Sequence, residues 1–183
     1  MPATVSGNAR STTVTKSLGH VVVTGGCGFL GSTIVSLLLQ RAACTKLTAL
    51  DLRPSAEPQA GVDYHFGDIT DEAGMQELFQ RIRPNVVIHT ASPIFNANQP
   101  ELMRKVNVDG TKNLVRVAQE TGVRAFVYTS SASVLSDNES DLINADEDYP
   151  LIIGAAQKEY YTTTKVRYSS QRYRIYLLTS LRA

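Results

Sequence analysis

Cysteine is scarce in this sequence: Cys27 and Cys44 are the only two in 183 residues. Two cysteines make no disulfide framework, so the disulfide-stapled class is excluded and a reducing, cytoplasmic setting is the expectation. Neither sign of charge is in excess. The 18 Lys and Arg stand against 17 Asp and Glu, a formal net charge of +1. That balance removes the electrostatic case for nucleic acid or an anionic membrane as a partner. No apolar run has the length needed to cross a bilayer. Internal repeats are missing too, so the length suits one ordinary domain. What is present is a normal globular mixture, 43% hydrophobic and 19% charged. Residues 1 to 17 are rich in Ser and Thr and hold no acid. They are expected to be a disordered tail reaching to residue 18, with a weak targeting segment as the other reading.

The most informative stretch is Val21-Val22-Val23-Thr24-Gly25-Gly26-Cys27-Gly28-Phe29-Leu30-Gly31. A β-branched run, a glycine loop and an amphipathic stretch follow in that order, which reads as strand, tight turn, helix. Gly25, Gly28 and Gly31 have the spacing of a dinucleotide fingerprint. The first glycine allows the turn, the second a close backbone approach to a pyrophosphate, and the third close helix–strand packing. The helix N-terminus adds unpaired N–H groups for the phosphates. A glycine triplet alone is weak, but this one opens the first βα unit of the chain. Leu47 to Leu50 reads as the second strand, and Asp51 ends it twenty positions after Gly31. A carboxylate there suits the ribose hydroxyls of NAD and repels the extra phosphate of NADP. Arg53 blunts that discrimination, so NAD is favoured and NADP stays open.

Strands and helices then alternate. Strands are expected at His20–Thr24, Leu47–Leu50, Val62–Phe66, 85–89 and 125–129. Helices are expected at 29–41, 71–83 and 101–121, with Pro84 stopping the second and Gly122 capping the third. The pattern predicts an α/β fold, a doubly wound parallel sheet with helices on both faces. In such sheets function collects at the C-terminal strand ends. Here those ends are the glycine loop, Asp51, Asp68-Ile69, Thr90-Ala91-Ser92 and Ser130-Ser131.

Tyr161 and Lys165 are four apart, which puts both on one helix face. A free tyrosine is a poor base at neutral pH, with a pKa of about 10. A neighbouring ammonium favours the phenolate, so Lys165 is expected to lower the Tyr161 pKa. The pair can then exchange a substrate hydroxyl proton while hydride moves to or from a nicotinamide. Ser131 follows a buried strand and can hydrogen-bond the same substrate oxygen. Tyr160 pairs with Thr164 instead and is the weaker candidate.

With these segments in hand, the chain resembles the extended short-chain dehydrogenase/reductase family, and within it the 3β-hydroxysteroid dehydrogenase branch with its decarboxylating sterol-4α-carboxylate 3-dehydrogenases. The likeness rests on the glycine loop, Asp51-Leu52-Arg53-Pro54, Gly67-Asp68-Ile69-Thr70-Asp71, His89-Thr90-Ala91-Ser92-Pro93, and Val106-Asn107-Val108-Asp109-Gly110-Thr111. Tyr128-Thr129-Ser130-Ser131, Asn144-Ala145-Asp146-Glu147, Tyr161 and Lys165 complete it. The resemblance implies a Rossmann-type NAD(P)-binding domain over residues 19–165. It implies Ser131, Tyr161 and Lys165 as the catalytic residues, with Lys165 also holding the nicotinamide ribose. Gly25, Gly28, Phe29, Leu30, Gly31, Asp51, Ala91, Ser92 and Ser130 would contact the cofactor. Asp68 and Ile69 would flank its adenine, and Asn107 would support Lys165 through water. No metal is implied. The implied substrate is a small molecule, a steroid or sterol oxidised at its 3β-hydroxyl, and the implied location is the cytoplasm or the endoplasmic reticulum surface. A homodimer through the helices around 101–121 and 161–165 is implied by analogy. A catalytically inactive NAD-binding regulatory module, a sugar-nucleotide epimerase and a flavonoid-type reductase are the alternatives.

The likeness stops at Lys165. Residues 166–183 carry Arg167, Arg172, Arg174 and Arg182 with no acid, and Tyr168 and Ser169-Ser170 are weak helix formers. They are expected to be a divergent basic tail, as translation into a retained intron would give, with the substrate domain missing. On that reading the sheet lacks its sixth strand and leaves an edge exposed.

Overall fold

The structure is a computed structural model that describes residues 17–53, 55–93, 99–137, 139–146, 148–169 and 175–177. Most of the expected N-terminal tail, Pro54, Glu147 and much of the basic tail lie outside the described residues.

Twelve regular elements carry the fold: β1 (His20–Thr24), α1 (Phe29–Gln40), β2 (Lys46–Asp51), β3 (Asp63–Phe66), α2 (Glu72–Ile82), β4 (Val86–His89), α3 (Pro100–Met103), a π-helical segment (Arg104–Gly110), α4 (Thr111–Glu120), β5 (Ala125–Tyr128), α5 (Tyr160–Ser169) and β6 (Ile175–Leu177). All strand pairs are parallel, in the order β3-β2-β1-β4-β5-β6. This is the expected doubly wound α/β sheet. The chain winds outward from β1 to β3, returns to β4, and winds outward the other way. The switch point therefore lies between β1 and β4, where such sheets hold ligands.

Burial on both faces explains the apolar runs. Every residue of β1 is buried, and successive side chains alternate between faces. Val21 and Val23 join Val35 of α1, Leu47, Ala49 and Ile88 on one face. Val22 joins Leu50, Phe79, Val87, Leu114 and Val117 on the other, beneath α2 and α4. Fully burying a side chain the size of Phe79 or Leu114 contributes roughly 1.5–3 kcal/mol. The Asp71 side chain caps α2 by accepting from the Gly74 N–H at 3.1 Å. Arg83, at φ +48°, turns the chain out of α2 just before Pro84. Gly122, at φ +80°, does so after α4.

Two expectations need correction. The stretch 101–121 is not one uniform α-helix, because residues Arg104–Gly110 are π-helical. The widened turn seats the buried Asn107 in side-chain hydrogen bonds, and Gly110 packs directly on Ile69, where a Cβ would come within 2.8 Å of Ile69 Cγ1. Nor does the sheet lack a sixth strand. Ile175–Leu177 pairs in parallel with Phe126–Tyr128, so β5 is not the exposed edge. The outer edge of β5 offers unpaired backbone groups, and the short Ile-Tyr-Leu run supplies a β-prone partner. The helix also continues past Lys165 to Ser169. Among the described residues, no helix is long and apolar enough to cross a membrane.

Candidate active site

The glycine loop sits at the switch point. Gly25 has φ +71°, and a Cβ there would lie 2.7 Å from the Ala91 backbone nitrogen. The loop after β1 and the chain after β4 thus close on each other, and only glycine fits. Thr90 reinforces the contact, donating from both its N–H and its hydroxyl to the Thr24 carbonyl at 3.0 and 2.7 Å. A Cβ on Gly31 would run into the Gly25 carbonyl oxygen. Gly28 is the N-cap of α1, and no side chain caps it. The first N–H groups of α1 are therefore available to an anion. Phe29 beside them is 94% exposed, and Leu30 is partly so.

Asp51 joins this loop. Its Oδ2 accepts from the Cys27 N–H at 3.0 Å, and its Oδ1 from the Arg53 N–H at 3.2 Å. Burial and the Asp51 carboxylate push the Cys27 thiol up, away from the thiolate. A cavity of about 310 Å³ lies against the loop, lined in part by Gly26, Cys27, Ser36, Gln59 and Tyr64. Asp68 Oδ1 accepts from the Thr70 N–H at 2.8 Å. Ile69 differs from its neighbour: it is a core residue, 6% exposed.

On the other side of the switch point, α5 brings Tyr161 and Lys165 to the strand ends. The Tyr161 side chain lies among those of Ser92 and Ser131, both of which favour its phenolate. Ser131 Oγ also accepts from the Ser133 N–H at 3.3 Å and lies 2.8 Å from Ser133 Oγ. Lys165 is almost fully buried, with Nζ donating to the Thr129 carbonyl at 3.3 Å and lying 5.7 Å from the Tyr161 ring centre. Desolvation lowers the Lys165 pKa to about 8. Burial raises the Tyr161 pKa, more than Ser92 and Ser131 lower it, and the Glu159 carboxylate adds to the rise. The net shift of Tyr161 is therefore upward, against the expected lowering, because removing a phenol from water opposes the phenolate.

Asn107 bonds Ser92 and Thr164 directly. Its Oδ1 accepts from Ser92 Oγ at 3.0 Å, and its Nδ2 donates to Thr164 Oγ1 at 3.0 Å. It thereby joins the β4 end to α5 through the residue next to Lys165. Ser130 is buried beside Ser131. The structure therefore gathers Ser92, Asn107, Ser131, Tyr161 and Lys165 into one cluster, and Gly25, Gly28, Gly31 and Asp51 into another. Tyr160 is kept apart, facing a separate cavity of about 420 Å³ with Arg104, Val108, Ile153 and Thr163. Sequence reading missed Ser133, Thr164 and the Thr129 carbonyl. Thr164 carried a signal only in adjoining Lys165, and a backbone carbonyl carries none. Among the described residues, no cluster of His, Cys, Asp and Glu is arranged to hold a metal ion.

The sequence and the fold both match known proteins. Residues 22–169 match the model of the 3-beta hydroxysteroid dehydrogenase/isomerase family. The chain is 37% identical to the decarboxylating sterol-4-alpha-carboxylate 3-dehydrogenase of Candida albicans, over 75% of this chain and 41% of that protein. It is 36% identical to the human protein of the same name, over 79% of this chain and 36% of the other. The chain spans about two fifths of the length of these curated relatives. Among solved structures, the NAD complex of Thermus thermophilus UDP-glucose 4-epimerase superposes with a TM-score of 0.72 at 27% identity. That match covers 87% of this chain and 53% of the epimerase.

Proposed function

We propose, from the premise that this chain belongs to the 3-beta hydroxysteroid dehydrogenase/isomerase family, that it carries the cofactor-binding and proton-handling part of an NAD(P)-dependent sterol or steroid 3β-dehydrogenase. The observation that carries this reading is Tyr161, backed by Lys165 and beside Ser92 and Ser131, with Ser92 directly following the Ala91 backbone that closes on Gly25 of the glycine loop. The cradle suits a dinucleotide. It has an uncapped helix N-terminus for the pyrophosphate, three places where a Cβ would collide with backbone, and the Asp51 carboxylate for ribose hydroxyls. Gly25, Gly28, Phe29, Leu30, Gly31, Asp51, Asp68, Ile69, Ala91, Ser92 and Ser130 are the proposed cofactor contacts. A nicotinamide bound there supplies the hydride acceptor.

The residues of the chain do the rest. Tyr161 takes the proton of the substrate hydroxyl as the carbinol carbon is oxidised, and Ser131 holds the substrate oxygen. The Tyr161 phenol first loses its own proton to solvent, and the Lys165 ammonium stabilises the phenolate that then accepts the substrate proton. Asn107 fixes α5 against the β4 end, so Tyr161 and Lys165 keep their spacing. With a carboxylate at C4 of the sterol, oxidation at C3 produces a β-keto acid, which loses carbon dioxide readily. The names of the relatives favour this substrate.

Incubating the chain with NAD and a 3β-hydroxysteroid, a 4α-carboxysterol or UDP-glucose tests the reading. Reduced nicotinamide formed with the steroid or sterol alone supports it, and carbon dioxide release with the carboxysterol narrows the substrate. Epimerised sugar nucleotide would favour the epimerase reading instead. Cofactor binding with turnover of none of the three would leave the NAD-binding module as the better reading.

A further inference from the structure

Lys165 rests on an aromatic platform. Its Nζ lies 5.4 Å from the centre of the Tyr128 ring, inside the range of a cation–π contact. Tyr128 is 1% exposed, and the ring is held from behind. The His89 ring centre is 5.7 Å away at an interplanar angle of 42°, and Phe126 meets His89 edge-on at 6.0 Å. His89 is itself pinned at both nitrogens, with Nδ1 2.6 Å from Thr24 Oγ1 and Nε2 3.0 Å from Thr111 Oγ1. The column runs from Thr24, just before the glycine loop, and Thr111, just after the π-helical segment, through His89 and Tyr128 to Lys165. It crosses the sheet beneath the switch point.

We propose that Tyr128 is a positioning residue for Lys165: the face of its ring holds the buried ammonium in place, and His89 locks the ring. The proposal rests on the reading of Lys165 as a working residue of the site. An almost fully buried ammonium is costly unless something answers its charge. Among the groups that face Lys165 are the Tyr128 ring of β5, the Thr129 carbonyl just after it, the Tyr161 ring of its own helix, and His89 of β4. His89 opposes the charge when protonated, and burial keeps it neutral, with a pKa lowered to about 3. The negative faces of the two rings and the carbonyl dipole contribute to answering the ammonium.

The test is titration of Lys165 by carbon-13 NMR of Cε-labelled lysine in the cofactor-free chain, with the signal assigned through Lys165→Met. Tyr128→Phe keeps the ring face, and its Lys165 titrates within about twofold of the parent proton affinity. Tyr128→Leu removes the face, and proton affinity falls about tenfold. Should Tyr128→Leu not fold, replacement of Tyr128 by mono-, di- and trifluorinated phenylalanine weakens the ring quadrupole at nearly constant shape. Proton affinity then falls stepwise with fluorination. Unchanged titration across the fluorinated series overturns the proposal. So does a loss in Tyr128→Phe as large as in Tyr128→Leu, since the hydroxyl would then be the active part. Because no cofactor is present, a parent chain that fails to bind NAD but shows the graded titration would overturn the functional reading and keep this one.

Discussion

Asn107 Nδ2 donates to Thr164 Oγ1 at 3.0 Å, so a buried amide of the π-helical segment ties down the residue just before Lys165. Asn107→Ala removes that bond and the one from Ser92, and leaves a small void. The expected cost is about 2 kcal/mol of stability. Thr164→Val, which keeps the shape and loses the hydroxyl, should cost about 1 kcal/mol. Urea unfolding of the two variants checks the order. Equal midpoints for Asn107→Ala and the parent would show that the bridge carries no load.

Tyr161 is the proposed proton-transfer group, with Ser92 and Ser131 beside it favouring the phenolate. Tyr161→Phe should lower oxidation of a 3β-hydroxysteroid by about 10²–10⁴-fold, with NAD affinity within about twofold of the parent. Because burial raises the Tyr161 pKa, oxidation by the parent should also accelerate toward alkaline pH. A steady-state rate profile from neutral to alkaline pH, run on both proteins, decides. Full activity in Tyr161→Phe would remove Tyr161 from the mechanism.

Lys165 has its pKa lowered by burial to about 8, against an ordinary 10.5. The unfolded chain therefore holds this proton more tightly than the folded one, and stability rises with pH between those two values. Below pH 8 the buried charge is a burden. Lys165→Met should stabilise the chain by about 1–3 kcal/mol at pH 7, and the gain should shrink as pH rises from about 8 to 10.5. Thermal melts of parent and variant across that range test it. A gain independent of pH would assign the effect to packing.

His89 works in the opposite pH range. Burial lowers its pKa from 6.5 to about 3, so the unfolded chain binds the proton first as pH falls. The stability His89 contributes is complete above pH 6.5 and is lost progressively toward pH 3. His89→Gln, which keeps one donor and one acceptor, should flatten the acid limb of the stability curve. His20, also buried with a lowered pKa, acts in the same sense and remains in the variant. Identical acid limbs would contradict a neutral His89.

The strand cores and the glycine loop were legible because hydrophobic pattern and turn chemistry point the same way. Val21 to Gly31 states its structure in local terms, and Tyr161 and Lys165 share a face at helical spacing. Residues 175–177 lie in a stretch whose residues suggest a foreign tail beyond Lys165, yet the family match runs on to residue 169 and a three-residue strand needs only a free neighbouring edge. The π-helical segment was hidden because Asn107 has no local reason to widen a turn; its partners Ser92 and Thr164 are 15 and 57 residues away. The Tyr161 shift was misjudged in sign for a related reason: spacing shows that an ammonium is near, and only the fold shows how deeply the phenol is buried.

The most direct measurement is calorimetric titration of the 183-residue chain with NAD and with NADP. Saturable binding is expected, tighter for NAD because of Asp51, and lost in Gly31→Val, whose side chain collides with the Gly25 carbonyl. A folded chain that takes up neither dinucleotide would contradict the reading of this switch point as a cofactor site.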